Sequence, residues 1–151
     1  MQNIKMILVE VGGRVELLFG LNCWSGHRQR HKDTWSFNTY KADGKEFVFT
    51  RRLNNYNEDF FSSNKTPTGW DKSQPLKGDV NTPQNEAGQN ISQDGQWLVF
   101  TANGRQQGFG NFDIYISYLT PQGWSEAINL GGKVNSDQWD SQPCLSPDKR
   151  D

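Results

Sequence analysis

Apolar and polar positions alternate in short bursts along this chain, and one burst is written twice. Trp97, Leu98, Val99, Phe100 and Thr101 form a run of strong strand preference, led in by the polar turn Ser92-Gln93-Asp94-Gly95. Asp-Gly between strand-like runs marks a tight hairpin, because both residues tolerate positive φ. Asp43-Gly44 followed by Phe47-Val48-Phe49-Thr50 repeats the pattern 51 residues earlier. Ser146-Pro147-Asp148 opens it again 54 residues later.

The repetition can be counted. Laying positions 59–94 on positions 113–148 gives 13 identities in 36, where average usage gives roughly two or three. Thr66-Pro67, Gly69-Trp70 returns as Thr120-Pro121, Gly123-Trp124, a turn followed by a large apolar anchor. Leu76, Gly78, Val80 and Asn81 return as Leu130, Gly132, Val134 and Asn135. Eight residues separate Thr50 from Asp59 and eleven separate Thr101 from Asp113. The three extra residues fall in a Gly- and Asn-rich loop, where insertion costs little.

Each period predicts four strands, at about 89–92, 96–102, 112–119 and 123–130 in the second copy. The second strand is apolar on both faces, as expected between packed sheets. The third alternates, with Ile114 and Ile116 on one side and Asp113, Tyr115 and Ser117 on the other. A four-stranded unit recurring at this spacing predicts an all-β fold built from β-propeller blades. Such a unit must stack on neighbours to cover its faces. The expected boundaries are an unassigned segment at 1–34, blade one at 35–87, blade two at 88–141 and the start of a third at 142–151. Within 1–34, Met6 to Val11 and Arg14 to Phe19 read as strands about Gly12-Gly13.

Composition adjusts this picture in few places. Only 33% of the chain is hydrophobic, but 9 Phe, 6 Trp and 4 Tyr supply large core anchors. A net charge of −1 gives no electrostatic case for nucleic acid or acidic lipid. No run reaches the length of a membrane-spanning helix. Lys5 before an apolar run suggests an export signal, but Glu10, Arg14 and Glu16 interrupt it and argue against that reading. Cys23 and Cys144 are too few for a disulfide framework; they could pair in an oxidising compartment, and two separate thiols is the preferred reading. His27 and His31, four apart among cations, lack an acidic or thiol partner for a metal and read as a solvated loop.

Ala42-Asp43-Gly44-Lys45, Phe47-Val48-Phe49-Thr50-Arg51-Arg52, residues 108–117, Gly123-Trp124-Ser125-Glu126-Ala127-Ile128-Asn129-Leu130-Gly131 and Val134-Asn135-Ser136 together resemble the TolB-type, WD-repeat-like β-propeller. More narrowly they resemble the version in OmpA-family envelope proteins of Bacteroidetes-type bacteria. The resemblance covers about 35–151. It implies a non-catalytic binding and assembly platform in the periplasm, associated with the outer membrane. Its implied partners are other envelope proteins, further propeller blades, and peptidoglycan or glycan through additional domains. Closed propellers have about four to eight blades, so the expectation is an incomplete propeller belonging to a larger protein.

No catalytic, cofactor-binding or metal-binding residue is singled out, and an enzyme is not expected. Asp43 and Asp94 fit turn chemistry, while Asp59 and Asp113 head equivalent strands and are expected to bond loop amides. Asn64-Lys65-Thr66 and Asn90-Ile91-Ser92 match a glycosylation triplet, which would be idle in a bacterium. The alternative function is a carbohydrate-binding or substrate-gating propeller of a hydrolase. Trp70 and Trp124 discriminate: open platforms would suggest sugar, and burial between blades would make them structural. Burial is expected, because they repeat.

Overall fold

The computed structural model describes residues 41, 43–53 and 55–145 throughout, and the backbone of five short strands before them. Those five are β1 (Leu8–Val11), β2 (Arg14–Leu17), β3 (Gln29–His31), β4 (Thr34–Ser36) and β5 (Asn38–Tyr40). Strand β1 pairs antiparallel with β2, Val11 opposite Arg14. Strand β3 pairs with β4, so the expected loop around His31 is corrected to a short ladder. Thr34, Trp35 and Ser36 provide its strand-favouring partner.

The rest is all-β, and no helix occurs among the described residues. The first sheet joins β5 to β6 (Glu46–Arg52), β7 (Glu58–Thr66) and β8 (Gly69–Trp70), with β9 (Gln74–Pro75) also on β7. The second joins β10 (Glu86–Ile91), β11 (Trp97–Asn103), β12 (Phe112–Thr120) and β13 (Gly123–Trp124), with β14 (Ile128–Asn129) also on β12. Both sheets are antiparallel throughout, and they do not close into a ring.

Register is common to the two. Thr50 faces Phe60 and Phe49 faces Phe61 in the first sheet, as Thr101 faces Ile114 and Phe100 faces Tyr115 in the second. The three-residue difference between copies is therefore absorbed in the loop between these strands. The Asp-Gly turns are as the sequence predicts: Gly44 and Gly95 sit at φ 65° and 69°, each donating its N–H back to the turn's first carbonyl at 2.8 Å.

The fourth strand of each unit differs from expectation, because it is broken into two short pieces. Ser125 explains the break in the second sheet. Its carbonyl accepts the Ser117 hydroxyl at 2.8 Å while its own N–H donates to Tyr118 O at 2.9 Å. Side-chain bonding to the backbone competes with the ladder at this point. Asp71 occupies the same place in the first sheet, its carbonyl accepting from Ser63 at 2.8 Å.

The main core lies between the sheets. Val48, Phe60, Leu76 and Val80 of the first copy pack against Ile91, Leu98, Phe100, Ala102, Tyr115 and Trp124 of the second. The Phe60 and Phe100 rings meet edge to face at 5.2 Å, a favoured aromatic geometry. Strand β10 runs against β5, β6 and β7, so the second unit enters through its first strand. A second cluster of Val99, Ile116 and Leu145 covers the opposite face of the second sheet. The alternation read in β12 is thus real: Ile114 and Ile116 share the face that receives Leu145, and Tyr115 points into the join.

Candidate functional site

The join between the sheets is held by buried polar bonds as well as by apolar packing. Thr50 donates its hydroxyl to Gln89 Oε1 at 2.7 Å, and Gln89 Nε2 donates to Val48 O at 3.3 Å. Buried polar groups must find partners, so these bonds fix how β10 lies on β6. Beside them, Asn81 clamps Phe60, accepting from its N–H at 2.8 Å and donating to its carbonyl at 3.0 Å. Asn135 does the same to Ile114 at 2.7 and 3.0 Å. The shared asparagine is visible in the sequence, but its use as a backbone clamp is not.

The two tryptophans part company. Trp124 is 5% exposed and lies in the join, while Trp70 is 45% exposed and packs on Phe47, with ring centres 5.9 Å apart. The cause is a backbone contact. Trp124 N–H donates to Lys77 O and Asp79 N–H donates to Trp124 O, both at 2.9 Å, a bridge across Gly78. Repetition predicts burial for both residues, and the structure gives it to Trp124 alone.

One edge of the join holds a charged group that sequence reasoning missed. Glu86 is wholly buried. It accepts from Thr82 Oγ1 at 2.5 Å, Thr82 N–H at 3.1 Å and Arg105 at 3.0 Å. Arg105 also donates to Val80 O at 2.6 Å and lies 5.3 Å from the ring centres of both Phe100 and Tyr115. Burial outweighs these bonds and pushes the Glu86 carboxyl up to about 7. Burial likewise raises the Tyr115 hydroxyl. Arg105 belongs to the loop that is three residues longer in the second copy, so no repeat signal points to it. Asp140, 54 residues after Glu86, could have hinted at the acid; it takes Ser136 N–H at 2.7 Å, as Glu86 takes Thr82 N–H.

The aspartates read from the sequence hold backbone and loops. Asp43 accepts from Lys45 N–H at 2.9 Å, and Asp94 accepts from Gln96 N–H at 3.2 Å and the Ser92 hydroxyl at 2.5 Å. Asp113 gathers the amides of Phe109 and Gly110 at 2.6 and 3.2 Å. Asp59 differs: it accepts the Asn57 side-chain amide at 2.9 Å, and burial raises its carboxyl. The triplet asparagines have structural uses too. Asn64 donates to Asp71 at 3.2 Å, and Asn90 accepts from Leu145 N–H at 3.1 Å.

Cys144 is disulfide-bonded, which corrects the preferred reading of two separate thiols. A count of two permits either state, and spacing alone does not choose. Cys23 and His27, with Ser146 and Asp148 of the third copy, lie outside the described residues. No group of His, Cys, Asp and Glu suited to a metal ion occurs among the described residues. No helix there is long and apolar enough to cross a membrane. Comparison with family models, curated proteins and solved structures found no match to this chain.

Proposed function

We propose that this chain is a non-catalytic interaction and scaffold module of the bacterial cell envelope, made of successive blades of a TolB-like β-propeller. The observation that carries the reading is the manner of stacking. The second sheet docks on the first through its inner strand and a tryptophan bridge, and residues 140–145 begin the same approach on the second sheet's far face. There Gln142 stands at φ 59°, matching Gly88 at φ 61°, and Leu145 takes the place that Ile91 holds in the join.

Two further facts support the envelope reading. The acids that might suggest catalysis are engaged with turns, loops and the Arg105 pair. Cys144 is disulfide-bonded, and such bonds persist in oxidising compartments. Propeller faces act as platforms for other proteins, so envelope proteins are the proposed partners, and further blades would complete the ring.

Proximity labelling from the tagged full chain in a Bacteroidetes-type cell tests this. Envelope proteins should dominate the labelled set, and the recovered chain should carry no titratable thiol before reduction. Cytosolic neighbours together with two free thiols would refute the reading. The half-exposed Trp70 keeps a second reading open, a carbohydrate-binding propeller of a hydrolase. Saturable binding on a glycan array, lost in Trp70→Ala, would favour that second reading.

A further inference from the structure

The contact that joins the two sheets has a counterpart with one side open. In the join, Gly78 lies so close to Trp124 that a β-carbon there would stand 2.0 Å from the Trp124 carbonyl oxygen. Fifty-four residues on, Leu130, Gly132 and Val134 repeat Leu76, Gly78 and Val80. The anchoring bonds repeat as well: Leu130 N–H donates to Ile114 O at 3.2 Å, as Leu76 N–H donates to Phe60 O at 2.9 Å.

Beyond that point the copies diverge. Leu76 and Val80 are buried, whereas Leu130 and Val134 are only partly so. The Lys77 carbonyl accepts from Trp124, but Gly131, its counterpart, accepts from Val134 and Asn135 within a local turn at 3.0 and 2.9 Å. Asp79 N–H is bonded to Trp124, but its counterpart Lys133 N–H has no bonded acceptor among the described residues. Over Gly132 lies only the edge of the Phe109 ring, 3.3 Å from where a β-carbon would be. Phe109 is itself 55% exposed, so it can swing away.

We infer that residues 130–134 are the seat for the Gly-Trp hairpin of a further four-stranded unit of this same repeat, with the segment ending at Leu145 as that unit's inner strand. The inference rests on the stacked-unit reading above and adds the surface and the register. Continuity with the existing join selects the occupant. The seat offers an N–H at Lys133, a gap without a side chain at Gly132, and apolar walls at Leu130 and Val134, and the Gly131 carbonyl joins them once its local turn with Val134 and Asn135 opens. A tryptophan flanked by its own free N–H and carbonyl fits that set, as Trp124 fits residues 76–80.

The test lengthens the full chain by a second copy of residues 98–151 joined after Asp151, because 146–151 stand in the places of 92–97. Amide exchange at Lys133 should slow by about tenfold or more, and the melting temperature should rise independently of protein concentration. Gly132→Val should cancel both gains in the lengthened chain while barely altering the original one, where only the Phe109 ring has to move. Unchanged exchange at Lys133, or a gain that survives Gly132→Val, overturns the inference. Protection of Lys133 that grows with concentration in the original chain also overturns it, since a second copy would then be the occupant.

Should the lengthened chain fail to fold, a peptide of residues 119–125 at millimolar concentration replaces it. Saturable NMR shifts confined to 130–134 and Phe109, lost in the Trp124→Ala peptide, support the seat, and their absence counts against it. Gly78→Val in the original chain separates the two levels. Intact melting there removes the stacked-unit reading itself; collapse there, with no gain in the lengthened chain, removes only the seat.

Discussion

Glu86 and Arg105 show what burial does to an ion pair. Removing both groups from water costs more than their attraction returns unless every lone pair is met, and the Glu86 carboxyl is raised to about 7 despite its bonds. A carboxyl whose folded value lies above its unfolded one stabilises the fold at low pH, and that contribution is lost as pH rises through the folded value. The window therefore runs from about 4.5 to about 7. Thermal melts should show lower stability at pH 8 than at pH 5.5, by at most roughly 2 kcal/mol on the scale of about 1.4 kcal/mol per pH unit. Burial raises Glu58 and Asp59 in the same direction. Glu86→Gln should flatten the profile, and a variant with the unaltered slope would remove Glu86 as its source. The pairing was not legible in the sequence, because Arg105 comes from the stretch without a counterpart, although Asp140 repeats the acid.

Strands and turns were the most legible elements, and the reasons are local. Asp-Gly followed by apolar residues fixed β6 and β11, and the alternation of Asp113 to Ser117 fixed the faces of β12. The broken fourth strand escaped notice because a hydrophobic pattern does not register a serine hydroxyl competing for a carbonyl. The aspartates heading β7 and β12 also look alike in sequence and differ in use. Asp113→Ala would strand two loop amides and should cost about 1–3 kcal/mol, with faster exchange at Phe109 and Gly110. Asp59→Ala removes one bond to an asparagine side chain and should cost less. Denaturant melts of the two variants measure the difference, and equal losses would contradict these roles.

Across the whole molecule, the two sheets share one interior. Phe100 sits at its centre, fully buried, edge-on to Phe60 and stacked at 6.0 Å on Tyr115. Phe100→Ala should cost about 3–5 kcal/mol and should lower the melting of both sheets together. Monitoring amides on β6 and β12 separately would show this, and loss confined to β12 would mean that the sheets fold as independent bodies. The repeat made this stacking legible, yet the differing fates of Trp70 and Trp124 were not, because identical motifs meet different neighbours. Burial depends on what lies across the gap.

The paired asparagines have one more effect. By occupying the donor and acceptor of Phe60 and Ile114, Asn81 and Asn135 answer the outward-facing backbone that an intruding strand would need. A sheet with its rim stoppered in this way resists zipping onto strangers, and growth is steered toward its flat sides.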